Sequence, residues 1–359
     1  MDQDESVRTN DHIVYLFSSN IRPLYEQDIL DVIAAPSGTH YRFRYEADYV
    51  SSDLKRLWHT AEIIDMQVLV HFSLQQVREY QEAAFIPVRY GRVVEATEIG
   101  EFLVLEFSLT THVSLLTPEQ DQGRVKLAGR VTEYTKRLRE SVPHPYTAYA
   151  SLAPNTVGDL LSVEEGGEGI RQFTLTAKFL QGTDSFGAAR FLRFLRLQEP
   201  GKAEIEPIDG VFTLTGGRTY ELVLLHSQPS EVVGRHGFRV SVDQEIIRLI
   251  GAGRFDIASR YDVITIPIHA NRTDTVEPRE TLLVIEPDAD VKGPTIRLRF
   301  RVTTPGGRVA GAIAVTSVGL VLVGLPGVVT VADPLKVLFL VIGGVVAATS
   351  AVLGLRRPS

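Results

Sequence analysis

Cysteine is absent from the 359 residues of this chain. Disulfide bonds, thiolate nucleophiles and cysteine-ligated zinc or iron–sulfur sites are therefore excluded. The nine histidines show no H-E-x-x-H pattern and no other close spacing typical of metal ligands. We expect neither a metal centre nor a cofactor.

Acidic side chains outnumber basic ones over most of the chain. Residues 309–359 have a net charge of +2, so the total of −7 leaves −9 on residues 1–308. Affinity for nucleic acids comes mainly from Lys and Arg side chains that neutralise phosphates. An acidic chain of this kind is not expected to have a nucleic-acid partner.

Two long apolar runs occupy the C-terminal part of the chain. Residues 309–331 contain no ionisable side chain, and residues 335–355 contain only Lys336 near their start. A helix of the second length is roughly 30 Å long, which matches the hydrocarbon thickness of a bilayer. The runs therefore predict a two-helix transmembrane hairpin, with a buried helical hairpin in a soluble core as the alternative.

The basic side chains of this region flank the two runs. They are Arg297, Arg299, Arg301 and Arg308 before the first run, and Arg356 and Arg357 after the second. Because Arg and Lys near membrane-spanning helices stay on the cytoplasmic side, both termini are predicted to be cytoplasmic. The N-terminal MDQDESVRTNDH lacks the features of a secretory signal, and arginine far outnumbers lysine, as in GC-rich bacterial genomes. We therefore predict a multi-pass protein of the bacterial inner membrane.

The arginines that precede the first run have two interpretations. They alternate with apolar residues in a predicted strand and can meet anionic lipid headgroups, at about 1 kcal/mol each. The alternative is the solvated face of an ordinary amphipathic strand.

Small residues recur within the runs at helix-packing spacing. They are Ala312 and Thr316 in the first run, and Gly343, Gly344, Ala347, Ala348 and Ala351 in the second. Small side chains at intervals of four let helix backbones approach closely. They predict packing within one hairpin, or between hairpins of an oligomer.

Residues 1–145 alternate short apolar strands with helical stretches. The predicted strands and helices are His12–Phe17, Leu24–Ala34 (helix), Thr39–Tyr45, Tyr49–Thr60 (helix), Val68–Leu74, Phe85–Val94 and Glu101–Leu109. A further helix presents Leu127, Val131, Tyr134 and Leu138 on one face. This order favours an α+β domain resembling a small, partly open β-barrel, with a C-terminal helix.

The pattern of the sequence changes after residue 145. Residues 146–169 end in a Gly- and Glu-rich stretch and are predicted to be a linker. Residues 170–303, starting with a strand at Ile170–Ala177, show short strands at intervals of roughly ten residues, which is typical of an all-β sandwich.

One strand of the first domain carries a basic face, formed by His40, Arg42 and Arg44. Alternating basic residues can bind an anion together, or they can be the solvated face of a half-exposed sheet. The first interpretation makes the protein a membrane-associated enzyme with its site in residues 1–145.

The sequence favours a different function. The preferred prediction is a non-enzymatic sensor or adaptor that is tethered to the inner membrane and binds a partner protein or small ligand through its cytoplasmic head. The alternative is a membrane-disrupting or pore-forming effector of a bacterial conflict or antiphage system, activated through the head. The expected partners are the lipid bilayer and either another protein or a second copy of this chain.

We expect the full-length protein to sediment with membranes and to resist extraction by alkaline carbonate, because two spans are held by burial in lipid. A C-terminal tag after Ser359 should be protected from protease in intact spheroplasts. Recovery of the protein in the high-speed supernatant without detergent contradicts the predicted hairpin.

Overall fold

The computed structural model describes residues 13–304 apart from 75–83, 116–123, 142–147, 152–156, 164–172, 174–175, 178, 184, 229–235, 258–260, 273–276 and 289–290. In this part of the chain most residues lie in β-strands, which form sheets of seven, four and five strands. The prediction of a β-rich head is confirmed.

The seven-stranded sheet is formed by the N-terminal part of the chain. Its strands are β1 (Ile13–Ser19), β2 (His40–Glu46), β3 (Gln67–Leu74), β4 (Ala84–Ile99), β5 (Phe102–Ser114), β6 (Ala148–Ser151) and β7 (Ser162–Val163). The helices are α1 (Pro23–Ala34), α2 (Ser52–Trp58) and α3 (Arg124–Ser141). The strand order is β2-β5-β4-β3-β1-β6, with β7 paired to β5.

This order is linear, so the described strands form an open sheet where the sequence predicts a partly open barrel. Strand β1 is parallel to β3 and antiparallel to β6. Both β1 and β3 are buried over six consecutive residues, on both of their faces. Central strands that are buried on both faces require a covering layer on each side, which an open sheet accommodates.

Local sequence explains where several elements begin and turn. Helix α1 has a proline in its first turn, a position where the missing N–H has no partner to lose. The Ser51 hydroxyl caps α2 by accepting the Leu54 N–H at 3.2 Å. The β4–β5 hairpin turns at Gly100, whose φ of +63° favours glycine.

Helix α3 packs on the sheet through the face predicted from its sequence. Val131, Tyr134 and Leu138 are all buried. The Tyr134 hydroxyl donates to His71 Nε2 at 2.7 Å, and His71 Nδ1 donates to the Leu69 carbonyl at 3.0 Å. Burial lowers the pKa of His71 to about 3, so the imidazole is neutral. The His71–Tyr134 pair is therefore a hydrogen-bonded polar contact within the hydrophobic core around the seven-stranded sheet, which we call the first core.

The structure differs from the sequence prediction in two segments. The predicted linker 146–169 contains β6, which pairs with β1, and β7, which pairs with β5. The strand predicted at Ile170–Ala177 is instead helical at Phe173 and Ala177, which are buried in the first core. Their spacing of four residues places both on one helix face. Among the described residues, the first strand of the second domain begins at Phe191.

The four- and five-stranded sheets face each other as a sandwich. Their strands are β8 (Phe191–Gln198), β9 (Val211–Thr215), β10 (Thr219–Ser227), β11 (His236–Ser241), β12 (Ile247–Leu249), β13 (Arg254–Ile257), β14 (Tyr261–Ala270), β15 (Arg279–Pro287) and β16 (Ile296–Thr303). The orders are β12-β14-β10-β8 and β13-β11-β15-β16-β9. Leu222 and Leu224 of the first sheet share one core with Leu298 and Phe300 of the second.

No helix within the described residues is long and apolar enough to cross a membrane. The predicted spans 309–331 and 335–355 lie outside the described residues, together with their small packing residues, Arg308, Arg356 and Arg357.

We expect Tyr134→Phe to lower the free energy of unfolding by about 1–3 kcal/mol, because it leaves the buried His71 Nε2 without a donor. Tyr90→Phe is the matched control, since Tyr90 is also a buried tyrosine of the first core. Chemical denaturation of the detergent-solubilised chain measures both. Equal losses in the two variants contradict the assigned role of the hydroxyl.

Candidate functional site

The predicted anion-binding strand face is occupied by the protein itself. His40 Nδ1 lies 3.0 Å from a Glu106 carboxylate oxygen, and Arg42 Nε donates to the other oxygen. Burial raises the pKa of Glu106, but the hydrogen bonds from Arg42 and His40 outweigh it and the pKa is lowered. The Arg44 guanidinium lies 4.4 Å from the centroid of the Phe102 ring. Each of the three basic side chains therefore already contacts a partner on or beside β5.

The arginines of β16 are also partly paired. Arg301 Nη2 donates to Glu280 at 2.7 Å, and Arg299 Nη2 lies 3.9 Å from the same carboxylate. Arg297 Nη1 lies 3.7 Å from Asp31 Oδ2. The three side chains alternate with buried residues, as predicted, and remain about half exposed. Their contact with lipid headgroups remains a prediction.

The contact between the two domains brings together a set of charged groups that are far apart in sequence. We call it the domain junction. It consists of Glu26, Gln27, Asp28 and Asp31 of α1, and of Lys292, Gly293, Thr295 and Arg297 of β16 and the segment before it.

Asp31 accepts hydrogen bonds from both domains. Its Oδ1 accepts the Thr295 backbone N–H at 2.7 Å and the Gln27 side-chain amide, also at 2.7 Å. The same Gln27 amide nitrogen lies 3.0 Å from the Gly293 carbonyl. Gln27 therefore bridges a helix carboxylate and the backbone of the sandwich.

Lys292 forms the second polar contact of the junction. Its ammonium donates to the Glu26 carboxylate and, at 2.6 Å, to the Ser185 carbonyl. It also lies 4.7 Å from the centroid of the Phe186 ring. Glu26 is only 8% exposed. Because a buried carboxylate without a partner is costly, loss of the Lys292 ammonium alone would destabilise the docked arrangement.

Backbone atoms meet directly at another place between the domains. A Cβ on Gly210 would lie only 2.5 Å from the Gly38 carbonyl oxygen, and Gly210 has a φ of +71°. No side chain fits in this gap. The α1–β2 connection and the turn before β9 therefore approach each other closely only because both carry glycine.

Two carboxyl groups of the junction have unusual acidity. Burial, followed by the charge of Asp31, raises the pKa of Asp28 to about 6. Burial also raises the pKa of Asp31 to about 6, and the hydrogen bonds from Thr295 and Gln27 and the charge of Arg297 offset it only in part. Groups with such pKa values exchange protons near neutral pH, and they are typical of functional sites.

Tyrosines complete the environment of these carboxyl groups. Burial raises the pKa of Tyr41 and Tyr45 well above the ordinary value, and the charges of Asp31 and Asp28 add to the effect. Both phenols therefore stay protonated near neutral pH. Among the described residues, no group of potential metal ligands lies in this arrangement.

The sequence does not single out Glu26, Asp28, Asp31 or Lys292. Acidic residues on an amphipathic helix are usually solvated, and only the position of the second domain buries these. One pattern could have indicated part of the site: Asp28 and Asp31, three positions apart on α1, fall on the helix face opposite Ile29, Leu30 and Ile33.

Comparisons with known proteins give no assignment. No protein-family model matches the chain, and no curated protein matches it significantly. The chain is similar to a solved structure described as a Bacteroides ovatus GH5 xyloglucanase in complex with a XXXG heptasaccharide, with a TM-score of 0.18 and 12% identity. The likeness covers 26% of this chain and 17% of that one, and at this TM-score it supports no inference.

We expect Lys292→Met to destabilise the protein by about 1–3 kcal/mol, because it leaves the Glu26 carboxylate buried without its cation. Adding Glu26→Gln should restore part of the loss, as the buried charge is then removed. Lys202→Met is the control, since Lys202 pairs with Glu199 on the surface. A double-mutant cycle by chemical denaturation measures the coupling, and a coupling energy near zero contradicts the ion pair.

Proposed function

We propose that this protein is a non-enzymatic module tethered to the bacterial inner membrane. Its cytoplasmic head binds a partner protein or small ligand, and residues 309–331 and 335–355 form a transmembrane helical hairpin. The observation that carries the proposal is the end of β16 at Thr303, which leaves only residues 304–308 before the first apolar run. So short a connection holds the sandwich at the lipid surface.

The domain junction supports a sensing role for the head. The contacts that join α1 to the segment before β16 are a few hydrogen bonds and ion pairs. These polar contacts lie beside apolar contacts that Phe191 and Leu225 of the sandwich make with the core of the first domain, so a change in docking must rearrange both kinds of contact. A partner or ligand that prefers one arrangement of the domains shifts their equilibrium by its differential affinity.

A second candidate is the membrane-disrupting effector. It is favoured by the small residues of the second run, Gly343, Ala347 and Ala351, which recur every fourth position. In this proposal the head clusters several chains, and the hairpins pack through these residues into a pore. The tether uses the same residues only to pack its own two spans.

Inducible expression of the full chain in a bacterium, with uptake of a membrane-impermeant dye as readout, separates the two candidates. The tether predicts membrane-bound protein with no more dye uptake than an empty vector, even when the head is cross-linked through an added dimerising tag. Dye uptake that is induced by dimerisation and lost in Ala347→Leu, but not in Val346→Leu, overturns the tether in favour of the effector.

A further inference from the structure

The inference concerns the response of the domain junction to protons, and it goes beyond the proposed tether. Asp31 links the domains directly, because it accepts a backbone N–H of the sandwich at 2.7 Å. Asp31 is 8% exposed, and Asp28 lies one helical turn before it. The docked sandwich therefore covers a carboxyl group that water would otherwise solvate.

Charged and titratable groups lie on α1 and on several elements that pack around it. They are Glu26 on α1, Tyr41 and Tyr45 on β2, Arg89 on β4, His112 on β5, Lys292 before β16, and Arg297 on β16. Lys292 is committed to Glu26, and Arg89 donates to the carbonyls of Val32, Ala35 and Thr110. Arg297, at 3.7 Å, is the cation that faces Asp31.

We infer that the junction is a proton-sensitive latch, in which protonation of the Asp28–Asp31 pair tightens the docking of the sandwich on α1. A protonated Asp31 still accepts the Thr295 N–H through one oxygen, so the hydrogen bond that joins the domains survives. The cost of keeping a carboxylate away from water is removed at the same time.

The direction of the effect follows from linkage. The pKa of Asp31 is about 6 in the docked state, against an ordinary value of 3.8 for a solvated aspartate. The docked state therefore binds the proton more tightly than an open state does. The stabilisation is fully present below the ordinary value and is lost as the pH rises through about 6.

The size of the effect follows from the same shift. If opening restores the ordinary acidity of Asp31, the ratio of docked to open molecules rises about tenfold between pH 8 and pH 5. Asp28 and Asp31 titrate as a coupled pair, so the transition belongs to both carboxyl groups.

Single-molecule Förster resonance energy transfer between two dyes on the full chain, in detergent, tests the latch. The chain has no native cysteine, so Ile99→Cys and Ile250→Cys place one dye on each domain at exposed positions. The docked-to-open ratio is measured with pH-insensitive dyes, at a urea concentration that populates both states at pH 8 without loss of far-UV circular dichroism. We expect the tenfold rise at pH 5, and an unchanged ratio overturns the inference.

Variants assign the response to Asp31. Asp31→Asn should remove most of the pH dependence, and the surface control Asp48→Asn should retain it. Arg297→Gln should move the midpoint to higher pH, because Arg297 lowers the pKa of Asp31. A wild-type pH profile in Asp31→Asn overturns the inference, and so does an unmoved midpoint in Arg297→Gln. These outcomes do not depend on dye uptake or membrane binding, so they are distinguishable from failure of the tether.

Discussion

The position of α1 is the constraint on which the rest of the head depends. At its C-terminal end, the fully buried Arg89 donates to the carbonyls of Val32 and Ala35. Through Asp31 and Glu26, α1 accepts the Thr295 N–H and the Lys292 ammonium from the second domain. A buried guanidinium that loses its acceptors is costly, so the helix cannot slide over the sheet without a large penalty. The junction is therefore built on an element of fixed position.

The sequence predicts those parts of the fold that depend on local periodicity. Strand β16 is a clear case, because Ile296, Leu298 and Phe300 alternate with arginines and are buried as expected. Strand β6 could not be predicted in the same way. It is a four-residue AYAS segment without an apolar run, and it forms because β1 has an edge to which it can pair. Pairing of this kind depends on the neighbouring strand, so the sequence of the paired segment shows no pattern that predicts it.

The site is harder to predict than the fold for a related reason. His40, Arg42 and Arg44 share one strand face, as the sequence indicates, but Glu106 and Phe102 on the adjacent strand already contact them. Those partners are more than fifty positions away in the chain, so periodicity does not reveal them. Burial of Asp31 likewise depends on Thr295, which comes from the other domain. Tertiary contacts raise the pKa values of Asp28 and Asp31, and those contacts cannot be identified from a single sequence.

Strand β16 connects the junction with the predicted membrane anchor. The second residue of β16, Arg297, faces Asp31. The last residue of the strand, Thr303, lies five positions before Arg308. A strand of this length spans roughly 25 Å and, paired on both sides within a sheet, bends little. In the proposed tether, a change in how the sandwich docks on α1 therefore moves the segment that enters the bilayer as a rigid unit. The strand that buries the core of the sandwich thus also couples, in the proposed tether, Asp31 of α1 to the lipid surface.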